Sequence, residues 1–157
     1  MKKTSAGILM YRRPQAANAP LEILLVHPGG PFWAKKDLGA WSIPKGEIEE
    51  EEPLEAARRE FFEETGTKLA GELLPLAPQK LKNGKNVYAW AAEGDLDPAA
   101  VASNTFELEW PPHSGKMHAF PEVDKAAWFL VQVAIQKINP GQAGFIYELI
   151  NKLGVNI

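Results

Sequence analysis

The chain has 157 residues, 45% of them hydrophobic and 24% charged, with a net charge of −3; this suits one domain spanning 1–157 and excludes a disordered chain. It contains no cysteine, which excludes disulfides, thiol nucleophiles and thiolate metal sites. No apolar run approaches the ~20 residues that cross a bilayer, so the expectation is a cytoplasmic protein without a membrane partner.

The N-terminal MKKTSAGILMYRR has the lysines and the short apolar run of a secretory leader. That run covers only residues 6–11, ends at Arg12 and Arg13 and has no small-residue cleavage site, so it predicts a first strand. Residues 22–27 (EILLVH) predict a second buried strand. The Gly- and Pro-punctuated stretch 28–40 is a loop, followed by a short strand at 41–43. A helix is predicted from Pro53 to Thr65: Pro53 suits a first helical position, Glu51 and Glu52 its dipole, and Gly66 the left-handed cap.

Strands are expected next at 73–77, 79–82 and 87–92, the last two joined by a KNGKN hairpin turn. Residues 105–110 (TFELEW) alternate, with Phe106, Leu108 and Trp110 on one face and Glu107 and Glu109 on the other. Residues 126–131 predict a strand running into a short helix at 132–138. An amphipathic helix over 141–153 closes the chain, with Phe145, Ile146, Leu149 and Leu153 on one face. The order predicts an α/β (α+β) fold in which helices sandwich a mixed sheet; too few helices alternate with strands for a doubly wound fold.

Charge is distributed unevenly. Residues 47–64 hold nine glutamates against Arg58 and Arg59, a net of −7, which leaves +4 for the remainder. On a helical wheel Leu54, Ala57, Phe61 and Thr65 form the stripe that docks on the sheet. Glu60, Glu63 and Glu64 lie at i, i+3 and i+4 and cluster on another face. Three like charges so placed repel, and Arg59 cannot balance them all. A hard divalent cation relieves the repulsion, since Mg²⁺ prefers carboxylate oxygens and keeps positions for water and phosphate. A solvated acidic face would carry the same residues, and helix spacing alone does not choose between the two.

The segment GEIEEEEPLEAARREFFEETG resembles the signature of the Nudix hydrolases. Gly46 opens it, Arg59-Glu60-Phe61 supplies its central triplet and Glu63-Glu64-Thr65-Gly66 closes it. Between Gly46 and Arg59 it is one residue short of the family pattern, so its first glutamate is Glu52 counted forward and Glu51 counted back, with Glu51 preferred. Its last position is Thr67 in place of a bulky aliphatic residue, and Leu69 is the substitute for that core position.

The resemblance implies a Nudix-like α/β/α sandwich that hydrolyses a diphosphate linkage in a nucleoside diphosphate derivative or related polyphosphate, with Mg²⁺ or Mn²⁺. It places Gly46, Glu51, Glu60, Glu63 and Glu64 with the metal and gives Glu63, Glu60 and Arg59 the catalytic work, Arg59 by orienting a glutamate. The proton acceptor stays open between a glutamate of the segment and one outside it. From the residues themselves, Glu122 in FPEVD is a candidate for a further carboxylate late in the chain. The AWSIPKGEIEE lead-in is similar to that of dinucleoside polyphosphate hydrolases. The partner expected is a small nucleotide, with no nucleic-acid polymer, and relatives are often homodimers.

Lys45 is expected to reach a substrate phosphate, with a solvated loop lysine as the alternative. Tyr88 and Trp90 are expected to stack on a base, with core packing as the alternative. Lys35 and Lys36 read as surface residues, Glu107 and Glu109 equally as a further metal ligand or as products of strand alternation, and His27, His113 and His118 as solvated or satisfied imidazoles. SGK at 114–116 lacks the rest of a phosphate loop. A catalytically silent Nudix-like domain that binds a nucleotide as a regulator is the competing function.

Overall fold

The computed structural model describes residues 4–13, 20–69 and 71–154. Its strands are β1 (Thr4–Arg12), β2 (Glu22–Pro28), β3 (Lys45–Glu47), β4 (Leu74–Lys80), β5 (Asn86–Glu93), β6 (Thr105–Glu109), β7 (Met117–Pro121) and β8 (Val123–Leu130). Its helices are α1 (Pro53–Thr65), α2 (Val131–Lys137) and α3 (Ala143–Leu153). A six-stranded sheet runs β4-β5-β1-β2-β8, with β3 also on β1, and β6 and β7 form a separate ribbon. β1 and β5 are parallel while the other pairs are antiparallel, so the sheet is mixed.

The two-residue period of β1 divides the core. Ala6, Ile8 and Met10 join Leu24, Ala92 and the α1 residues Ala56, Ala57 and Phe61 on one face. Leu9 and Tyr11 join Ile23, Leu25 and the α3 residues Phe145, Ile146 and Leu149 on the other. The result is the α/β/α sandwich expected. Phe61 is fully buried under α1, and replacing it by alanine would cost about 3–5 kcal/mol.

Helix α1 begins at Pro53 and ends at Gly66, whose φ of 75° is left-handed and whose N–H donates to the Phe62 carbonyl. Its buried residues are Ala56, Ala57, Phe61, Glu64 and Thr65. Leu54 of the expected stripe is only partly buried, and Glu64 turns inward.

Several expected boundaries are corrected. Residues 41–43 form no strand: Trp41 and Ser42 make isolated bridges, to Ile138 and Val26, and the short strand lies at 45–47 instead. The expected strands 73–77 and 79–82 are one strand, β4, with a register shift between Leu76 and Gln79 that accommodates Pro78 at the sheet edge. β7 was not expected, and β6 stops before Trp110. The closing helix starts at Ala143, after a short 3₁₀ turn at Pro140–Gln142. The leader-like residues 1–3 lie outside the described residues. Among the described residues no helix is long and apolar enough to cross a membrane.

Candidate active site

The site is built where β3 crosses β1 beneath α1. Lys45 pairs with Gly7 and Gly46 with Ala6. A side chain at Gly7 would bring Cβ to 2.6 Å from Lys45 Cβ and 2.5 Å from the Pro44 carbonyl oxygen, so the close approach of β3 requires glycine there. A Cβ on Gly46 would collide with the carboxylate of Glu60. The bare α-carbon of Gly46 is the space into which Glu60 turns.

Upstream, Ser42 exchanges backbone hydrogen bonds with Val26, at 2.8 and 2.9 Å, and Pro44 accepts from Ile8 N at 3.1 Å. Gln142, buried at the start of α3, accepts from Ile43 N at 3.0 Å through Oε1 and donates to Ser42 Oγ at 3.1 Å. The lead-in is therefore held by β1, β2 and Gln142, which fixes where Lys45 and Gly46 meet α1.

Arg59 organises the outer carboxylates. Its Nε and Nη2 donate to Glu51, the latter at 2.6 Å, and its Nη1 donates to Glu60 at 2.9 Å and Glu63 at 3.2 Å. Nη2 also reaches the Glu47 carbonyl at 3.3 Å. Arg59 thus binds more of the carboxylates than helix spacing suggested, because the chain before Pro53 folds back over it. Glu51 makes this contact, while Glu52 is the N-cap residue and its side chain makes no capping bond. The hydrogen bonds from Arg59 hold the Glu51 carboxyl below its usual range, and the same bonds raise the guanidinium.

Glu64 is the inner carboxylate. It is 6% exposed, and its Oε2 is a buried oxygen with no hydrogen-bond partner. Burial pushes its pKa up to about 8, reinforced by the charges of Glu60, Glu122 and Glu63 and opposed by Lys45. Glu60 is raised for the same first reason, burial, against the pull of Arg59. Glu122 is raised by burial and then by Glu63. Lys45 is lowered by burial, with Glu64 opposing the shift.

A cavity of about 200 Å³ opens beside these groups, lined by Val26, Pro28, Ser42, Ile43, Lys45, Glu64, Glu122 and Val123. It brings Lys45 and Glu64 together with Glu122, which follows β7. Sequence reasoning gave Glu122 little weight, because nothing in FPEVD marks a carboxylate that returns to α1 from so far along the chain. Tyr88 and Trp90 lie elsewhere: they face α1 from β5, partly buried against its core cluster. Glu107 and Glu109 lie on the separate ribbon. His27 is a satisfied buried imidazole, with Nδ1 3.0 Å from Asp124 and Nε2 2.6 Å from the Lys36 carbonyl.

Among the described residues no three histidine, aspartate or glutamate side chains converge as a ready-made metal cage. The donor set nonetheless fits a hard cation in three ways. An orphaned carboxylate oxygen is buried at Glu64, the Gly46 gap admits Glu60, and burial raises Glu64 with the nearby charge of Glu60 adding to it. A cation that completes its shell with water and phosphate oxygens needs no all-protein cage.

The family model for the NUDIX domain matches residues 1–149. A Caenorhabditis elegans Ap4A hydrolase in a binary complex is 22% identical with a TM-score of 0.65, over 96% of this chain and 98% of that one. The NUDIX domain of Shewanella oneidensis NrtR complexed with ADP ribose is 15% identical with a TM-score of 0.66, over 98% and 89%. A MutT/nudix family protein from Listeria innocua is 16% identical with a TM-score of 0.64, over 97% and 94%. These identities speak to fold alone. No curated protein matches the chain at a significant level.

Proposed function

This chain belongs to the NUDIX family, and we propose that it hydrolyses a diphosphate linkage in a nucleoside diphosphate derivative or a dinucleoside polyphosphate, with Mg²⁺ or Mn²⁺. The observation that carries the reading is Glu64: a buried, partnerless carboxylate oxygen on the wall of a cavity that also holds Lys45 and Glu122. An isolated buried carboxylate is costly unless something pairs with it. The AWSIPKGEIEE lead-in, similar to that of dinucleoside polyphosphate hydrolases, supports the dinucleoside polyphosphate end of the range.

In this reading Glu60, Glu63 and Glu64 would hold the cation, with Gly46 keeping the space beside Glu60 clear. Once bound, the cation would supply charge neutralisation at the diphosphate oxygens and easier deprotonation of water. Lys45 draws a phosphate into the cavity. Glu51 acts through Arg59, whose remaining donors fix the directions of Glu60 and Glu63. Glu122, on the cavity wall with a raised pKa, accepts the proton of the attacking water; a raised pKa strengthens a carboxylate as a base. The water oxygen forms the new bond to phosphorus as the bridging P–O bond breaks, and the second phosphate leaves.

One observation favours a second reading. Among the described residues no three acids are arranged as a group that could hold a metal ion, as in a domain that binds a nucleotide without cleaving it. The NrtR NUDIX domain was captured with ADP ribose. The test is phosphate release from a panel of dinucleoside polyphosphates, nucleotide sugars and nucleoside triphosphates with and without Mg²⁺. Mg²⁺-dependent release that Glu64→Gln abolishes supports the hydrolase. Binding without release on every substrate supports the silent domain.

A further inference from the structure

Seven large hydrophobic side chains stand exposed among the described residues, and four of them, Phe32, Trp33, Leu38 and Met117, lie on the 29–40 loop and the β6–β7 ribbon. Scattered apolar residues need no explanation, whereas a concentration on two touching segments does. The segments touch at the mouth of the cavity. Gly29 N donates to the Glu122 carbonyl at 3.0 Å, and a Cβ on Gly29 would collide with the Pro121 carbonyl. Gly30, at φ 96°, lies against Phe106, whose ring would stand 2.9 Å from a Cβ. Two residues on, Phe32 meets Trp110 edge to face, with ring centroids 5.2 Å apart at 82°.

The pairing of β6 with β7 sets Phe106 opposite Phe120, with centroids 6.0 Å apart. Trp110 follows the end of β6 and meets Phe32. The loop is anchored as well, because the Lys36 carbonyl accepts from His27 Nε2 at 2.6 Å. Trp33 already carries the Lys36 ammonium 5.0 Å from its ring centre. Phe32 is 58% exposed, and with Trp110 it presents ring surface over which no cation stands among the described residues. Pro28 and Glu122 line the cavity, and each is bonded directly to one of these segments. The two segments that carry Phe32 and Trp110 therefore start from the wall that holds Lys45 and Glu64.

We propose that Phe32 and Trp110 form the seat for the nucleobase of the substrate, the base stacking there while its phosphates enter the cavity toward Lys45 and Glu64. This deepens the function proposed above and rests on its reading of the cavity as a phosphate site. A planar base suits an edge-to-face pair, which leaves room for one more ring and tolerates any base. It also gives the chain a base-binding surface on the cavity side, whereas Tyr88 and Trp90 pack beside α1.

The test is calorimetric affinity, with Mg²⁺ present, for adenosine α,β-methylenediphosphate and for methylenediphosphonate, which has the same bridged phosphates and no base. Phe32→Ala and Trp110→Ala are expected to weaken the nucleoside ligand about 5- to 100-fold and to leave the base-free ligand within twofold. Trp110→Phe, which keeps a ring, restores most of the loss and separates stacking from a damaged ribbon. Unchanged affinities, or equal losses for both ligands, overturn the proposal. So does a dimer that Phe32→Ala converts to monomer, on sedimentation, with nucleotide affinity intact, since this face is then a self-interface. Neither ligand is hydrolysed, so the two readings fail separately: turnover indifferent to both alanine variants removes the seat and spares the hydrolase, and ring-dependent binding without turnover does the reverse.

Discussion

Arg59 grips Glu51 by both carboxylate oxygens, its Nε lying 3.1 Å from each and its Nη2 2.6 Å from one of them. The fork spends its remaining nitrogen on Glu60 and Glu63. Lysine cannot reproduce this, having a single charged head in place of a planar set of donors. Arg59→Lys is therefore expected to lower kcat about ten- to hundredfold, since small misplacement of catalytic groups has that effect. A variant within twofold of wild type in steady-state assays would show that Arg59 is no more than a surface partner.

Gly46 makes a second, sharper case. Its β-carbon would occupy the place of the Glu60 carboxylate, so Gly46→Ala must expel Glu60 from the β3 side of α1. Expected is a loss of about tenfold or more in kcat/KM with the circular dichroism spectrum retained. Full activity in the alanine variant would mean that the site does not use Glu60 in this position.

Glu64 links the site to pH. Its ordinary value is 4.5, and in the fold it is pushed up to about 8, first by burial and then by the charge of Glu60. The unfolded chain loses this proton first, so unfolding becomes more favourable as pH rises. The contribution is fully present below about pH 4.5 and is lost as pH passes about 8. In metal-free protein, Tm should fall by several degrees between these limits, and Glu64→Gln should flatten that part of the curve. Cation binding competes with the proton, so Mg²⁺ affinity should rise toward pH 8. An equal slope in Glu64→Gln would place the titration on another group.

What could be read from the sequence follows from how local each signal is. Helix α1 was legible because Pro53, Gly66 and the burial of Ala57 and Phe61 all follow from residues within a few turns of one another. β7 was not, because MHAFP alternates weakly and pairs only with the ribbon strand β6. The 41–43 segment looked like a strand by its residue types, but its partners are single residues on β2 and after α2, which the sequence does not announce. At the site the i, i+3, i+4 spacing of Glu60, Glu63 and Glu64 was visible. That Glu64 is the buried one of the three, and that Glu122 lines the same cavity, depends on packing between distant segments.

Gln142 is such a long-range element and gives a stability prediction. It is 1% exposed and satisfies the backbone N–H of Ile43. Gln142→Leu leaves that donor buried without a partner, at a cost of about 1–3 kcal/mol. The urea midpoint should fall accordingly, and an unchanged midpoint would mean that water or a shifted lead-in replaces the amide.

The central claim is that the α1 carboxylates hold a divalent cation, and Mn²⁺ binding followed by electron paramagnetic resonance, with the non-hydrolysable methylene-bridged nucleotide present, tests it most directly. Wild type is expected to bind Mn²⁺ saturably, Glu60→Gln and Glu64→Gln each at least tenfold more weakly, and a change at the distant Glu93 not at all differently. Wild-type protein that leaves Mn²⁺ free in solution, or glutamine variants that bind it as well as wild type, would contradict the account.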